Sequence, residues 1–100
     1  MASKLITVYW RDIPAQVIAR KGRTTSKIQL TERFQVAIDR AAMRAGKGSS
    51  DQYLEDWRRE SSACAGDLEA EAHARAESLE AEFDDELLER MVKAGGLRPE

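Results

Sequence analysis

The chain has 100 residues, 42% hydrophobic and 34% charged, with a formal net charge of −2 and a pI near 5.5. That is enough for one small core and too little for two, and it excludes a protein that wraps nucleic acid over its whole surface. One cysteine, Cys64, rules out an internal disulfide, and no apolar run approaches the roughly 20 residues of a membrane span.

Residues 4–11 (KLITVYWR) are rich in β-branched and aromatic side chains and predict a strand; residues 16–21 (QVIARK) predict a second. Asp12, Ile13, Pro14 and Ala15 read as the turn between them, because Pro14 fixes its own φ and pushes Ile13 out of the helical region. A four-residue loop places Trp10 opposite Val17, Val8 opposite Ala19 and Tyr9 opposite Ile18. Ile6, Val8, Trp10, Val17 and Ala19 then share the core face. The other face, with Leu5, Tyr9 and Ile18, is too apolar to be purely solvated.

Residues 22–30 form a basic, hydroxyl-rich connector with no clear period. Thr31 is positioned as an N-cap, and Phe34, Ala37, Ile38, Ala41, Ala42 and Ala45 make an apolar stripe ending at Gly46, which predicts a helix over 31–46. Ser49 and Gln52 have capping-box spacing ahead of a helix over 50–60 that carries Tyr53, Leu54 and Trp57. Residues 61–66 read as a break. Asp67 caps a C-terminal helical segment over 67–95, either one helix or two, since Asp84 and Asp85 could cap a separate last helix; Gly95-Gly96 ends the ordered chain. Its apolar positions, from Leu68 through Ala72, Ala76, Leu79 and Phe83 to Leu87, repeat at eleven residues rather than seven, so it packs on its own domain and not in a left-handed coiled coil. The predicted architecture is a single α+β domain over 1–100: an N-terminal two-stranded antiparallel hairpin (4–22) packed against three or four helices, with a long acidic C-terminal helix.

Charge divides by position. Residues 1–50 hold ten bases and three acids; residues 51–100 hold six bases and fifteen acids. Either the halves neutralise each other in the fold or each faces its own partner. Arg11 and Asp12 interrupt the early apolar stretch, so no secretory signal is read and a cytoplasmic location is expected.

No catalytic signature accompanies this division. His73, the one histidine, lies between Glu69 and Glu77 at helical spacing and reads as a surface residue, with no Cys or His nearby to complete a metal set. Cys64 has no neighbouring base and reads as a spectator thiol. The GKGSS run at 46–50 lacks the upstream glycine of a P-loop and follows a helix, so it reads as a connector. The basic connector (Arg20, Lys21, Arg23, Lys27), with Tyr9 and Trp10 nearby, has two readings. It could track a phosphate backbone while the rings stack on bases, or it could pair with the acidic C-terminal segment.

The stretches WRDIPAQV at 10–17, Gly22-Arg23 and ERFQVAIDRAAM at 32–43 resemble a small bacterial virulence-factor family, which takes its name from the domain of conserved virulence factor C. The likeness covers nearly the whole chain. It implies no reaction, catalytic residue or cofactor; by the company such proteins resemble, it implies an accessory role beside corrinoid- or tetrahydrofolate-dependent methyl-transfer enzymes. The expected function is a non-enzymatic protein-interaction or accessory module whose partner-facing surface comprises Trp10, Arg11, Asp12, Arg20, Lys21, Arg23 and Lys27. The alternatives are an accessory subunit of one-carbon methyl transfer and a weak single-stranded nucleic-acid binder.

Overall fold

The computed structural model describes residues 3–46, 50–64 and 66–99. In chain order the elements are β1 (Ser3–Trp10), β2 (Ile13–Lys21), β3 (Thr24–Gln29), α1 (Glu32–Arg44), α2 (Ser50–Glu55), β4 (Trp57–Cys64), α3 (Leu68–Glu82) and α4 (Asp85–Lys93). The α+β class holds, but the predicted two-stranded hairpin is part of a four-stranded antiparallel sheet of order β3-β2-β1-β4. The basic connector supplies one edge strand and the second half of the predicted 50–60 helix, with the break after it, supplies the other. β3 shows little apolar period because only Ile28 reaches the core, and β4 shows none because Arg58 to Ala63 are exposed on both faces. A strand buried on neither side leaves no alternation to read.

The β1–β2 register also differs from expectation. The loop is only Arg11-Asp12, so Trp10 pairs with Ile13, Tyr9 with Pro14 and Val8 with Gln16, and Ala15 is skipped in a bulge. Pro14 cannot donate to the ladder, and a bulge is where a strand tolerates that loss. Below it Thr7 pairs with Val17, Ile6 with Ile18 and Leu5 with Ala19. Val17 and Ala19 therefore share a face with Leu5 and Thr7, opposite to Ile6 and Val8. A one-residue slip moves every side chain to the other face.

Helices α1, α3 and α4 pack on the face of Val17 and Ala19. There Trp10, Ile13, Phe34, Ile38, Leu79, Phe83 and Met91 are almost completely buried. The outer face holds a second small cluster, Ile6, Val8 and Ile18, packed with Trp57 and without any helix residue.

α1 buries the stripe Phe34, Ala37, Ile38, Ala41 and Ala42 as its periodicity predicts. Thr31 occupies the N-cap position, yet its hydroxyl does not cap; its N–H and Oγ1 both donate to the Glu80 carboxylate, at 2.8 and 2.9 Å. The C-terminal segment is two helices, of 15 and 9 residues, rather than one long one. Asp67 accepts from the Ala70 N–H and Asp84 from the Leu87 N–H, satisfying an orphan donor at each helix start. Order does not end at Gly95-Gly96. Gly95 donates to the Val92 carbonyl and Gly96 to that of Met91, both at positive φ, in a Schellman closure from which the chain continues. Ser49 and the side chain of Gln52, the expected capping box, lie outside the described residues, as do Lys47 and Gly48 of the expected connector.

Candidate cationic interface

The expected surface residues fall into two groups at opposite ends of β2, about 27 Å apart at the rise of an antiparallel strand. Trp10, Arg11 and Asp12 form a clasp. Trp10 has no exposed surface; its Nε1 donates to the Tyr53 carbonyl at 2.8 Å, and its ring stacks on Tyr53. Arg11 adopts φ 54°, unusual for a residue with a Cβ, and the turn is held from several sides. The Arg11 N–H donates to the Asp56 carbonyl (3.0 Å), Nη1 to the Gly95 carbonyl (2.9 Å) and Nε to the Asp56 carboxylate (3.2 Å). The Asp12 N–H donates to the Gly96 carbonyl, while its carboxylate accepts from Arg58 Nη2 and from the Arg98 N–H. Arg58 also donates to the Arg11 carbonyl and pairs with Glu60; these two carboxylates outweigh burial and raise its pKa. The clasp ties the β1–β2 turn to β4 and to the end of α4. Gly96 is required there because a Cβ on it would stand 2.6 Å from Trp10 Cζ3.

Arg20, Lys21, Arg23 and Lys27 lie at the other end, on the β2–β3 hairpin, and all four are exposed. Their loop is Gly22-Arg23, with Gly22 at φ 60°, the position where a tight hairpin needs glycine. Strand pairing extends this group with residues that sequence reasoning missed. Lys4 stands opposite Arg20, Lys27 pairs with Ile18, and Arg59 pairs with Val8 on β4. Lys4, Arg20, Lys27 and Arg59 thus share the outer face, and no carboxylate occupies any paired position on it. Arg59 could have been found only by recognising β4.

The charge division resolves unevenly. On α1 the halves do neutralise: Arg33 donates to the Glu80 carboxylate and carbonyl and reaches Asp85, and Arg40 forms a two-pronged pair with Glu89 at 2.8 and 2.9 Å. These contacts lower the Glu89 pKa and, against the opposing effect of burial, that of Glu80, which also accepts from Thr31. Among the described residues, Lys4, Arg20, Lys21, Arg23, Lys27 and Arg59 have no carboxylate partner. Like charges directly opposite on a sheet repel, so the Lys4–Arg20 pair is a local cost that a bound anion would offset.

His73, Glu69 and Glu77 are exposed on α3, and no group of three or more His, Cys, Asp or Glu among the described residues is arranged to hold a metal. Burial, then the Glu71 charge, raises the Cys64 thiol pKa. No helix among the described residues is long and apolar enough to cross a membrane.

A family model described as virulence factor matches residues 8–92, from the middle of β1 almost to the end of α4. The chain belongs to the virulence factor family. No curated protein and no solved structure matches it. Within this virulence factor domain the matched span includes Trp10-Arg11-Asp12 and the whole β2–β3 hairpin, but stops short of the Gly95-Gly96 closure.

Proposed function

We propose that this domain is a non-enzymatic interaction module that receives an acidic protein partner on the outer sheet face and the β2–β3 hairpin. The observation that carries the reading is the set of cations, Lys4, Arg20, Lys27 and Arg59, gathered by strand pairing on one face without a carboxylate among them. Arg11 and Asp12 serve the fold, so the contact residues are the hairpin and face cations, with Lys21 and Arg23 at the rim. An acidic protein suits this surface better than single-stranded nucleic acid. Base stacking needs available rings: Tyr9 and Trp10 retain only 8% and 0% of their surface, and Trp57 on the outer face is half-buried against Ile6, Val8 and Ile18.

The test uses polyglutamate and an oligothymidylate as probes, followed by fluorescence anisotropy at low salt. The reading expects polyglutamate to bind, to weaken as salt rises, and to be lost in the triple variant K4E/R20E/K27E, with the thermal midpoint of that variant within a few degrees of wild type. No binding, equal binding by the charge-reversed variant, or preference for the oligonucleotide overturns it.

A further inference from the structure

We propose that the groove between α3 and β4 is a binding site for a small aliphatic monocarboxylate, held by Arg75. This site lies on the helix side of the sheet and does not depend on the cationic outer face. α3 packs across β2 and β3 and only reaches β1, while Arg58, Glu60 and Ser62 of β4 stay exposed, so a strip of sheet beside α3 is left open. The strip holds a recess of about 360 Å³, lined by Leu5, Thr7, Glu60, Ser61, Ser62 and Arg75. Past Arg75 and Glu60 it continues into a second lobe of about 200 Å³ beside Tyr9 and Arg58.

Arg75 is the incompletely satisfied group in this groove. Arg58 meets Asp12 and Glu60, and Arg98 meets Glu82, but among the described residues the half-buried Arg75 meets only two neutral hydroxyls, Thr7 Oγ1 at 3.4 Å and Tyr9 OH at 3.3 Å. Both distances exceed the usual range for a nitrogen donor. These contacts use Nε and one Nη2 hydrogen, leaving the Nη1–Nη2 end of the guanidinium, which matches a carboxylate in a two-pronged pair. Ser62 and Thr7 add hydroxyls at the lining, and Leu5 offers an apolar floor for a short hydrocarbon tail. Glu60, Glu82 and Asp12 line the same groove, so a singly charged carboxylate is accepted and a phosphate dianion is repelled.

The experiment is a ¹⁵N NMR titration of the full chain with butyrate and, separately, inorganic phosphate. Butyrate is expected to shift the Thr7 and Ser62 amides and the Arg75 Nε–H with saturation at a dissociation constant on the order of 1–10 mM, as one charge-assisted contact with a short tail supports. Arg75→Met should weaken binding by about tenfold or more, a loss of one good charged hydrogen bond. Ser62→Asp, an exposed change, should block butyrate while keeping the thermal midpoint, and it decides the question if Arg75→Met fails to fold. Shifts that do not saturate, shifts retained in both variants, or equal shifts with phosphate overturn the proposal.

Discussion

Substituting Gly96 by alanine tests whether the end of α4 is shaped to the Trp10 ring. The new Cβ would lie 2.6 Å from Trp10 Cζ3, 3.0 Å from Cε3 and 3.3 Å from Arg11 Cδ. Ordinary carbon contacts are about 3.5–4.0 Å, so the overlap approaches 1 Å. The indole cannot retreat: it is fully buried, stacked on Tyr53 and bonded to the Tyr53 carbonyl. Lifting the turn instead stretches the bonds from the Asp12 N–H to Gly96 and from Arg11 Nη1 to Gly95. Overpacking of this kind costs about 1–3 kcal/mol, and placing an L-residue at φ 95° adds about 1–2 kcal/mol. The expected loss is about 3 kcal/mol, a fall in thermal midpoint of more than about 12 °C for a domain of this size. Gly46 is the internal control. It also has positive φ (74°), but a Cβ there meets nothing within 4 Å, so Gly46→Ala should cost only the backbone part, about 1–2 kcal/mol. Urea denaturation of both variants is the assay, with the midpoint shifting at constant slope. Equal losses in the two variants, or a Gly96→Ala midpoint matching wild type, would refute the reasoning.

Arg11→Ala removes partly buried hydrogen bonds to Gly95 and Asp56 and should destabilise by about 2 kcal/mol, whereas Arg23→Ala, in an exposed loop, should stay within about 0.5 kcal/mol by the same denaturation. Glu80 has a depressed folded-state pKa, so its contribution is present above the unfolded carboxylate pKa of about 4.3 and is lost as pH falls through the folded value. The thermal midpoint of wild type should therefore drop more steeply than that of Glu80→Gln between about pH 5 and pH 3, and parallel curves would contradict the assignment. Because burial and then Glu71 raise the Cys64 pKa, Glu71→Gln should increase the alkylation rate of Cys64 near pH 8; an unchanged rate would remove Glu71 from the account.

Elements with a one-sided period were legible in the chain. The stripe from Phe34 to Ala42 and the caps Asp67 and Asp84 lie where spacing and side-chain chemistry put them, since each depends on residues within two turns of one another. The proposed interaction surface was only half legible. Arg20, Lys21, Arg23 and Lys27 stood out as a charge cluster, but their joining by Lys4 and Arg59 depends on β1 pairing with both β2 and β4, contacts tens of residues apart in the chain. Trp10, Arg11 and Asp12 were conspicuous as residue types, and nothing local indicated that Gly95, Gly96, Asp56 and Arg58 would close over them.

Local chemistry was therefore enough to establish the class of the fold, the starts of α1, α3 and α4, and the existence of two oppositely charged halves. Which charges cancel and which stay open was settled by assembly. α1 meets α3 and α4, so Arg33 and Arg40 find carboxylates; the β2–β3 hairpin lies beside the start of α3, yet its cations form no ion pair with a carboxylate among the described residues. Periodicity reports which way a side chain faces along its own element, whereas neutralisation depends on which element lies opposite, and that is a long-range property of the packed chain.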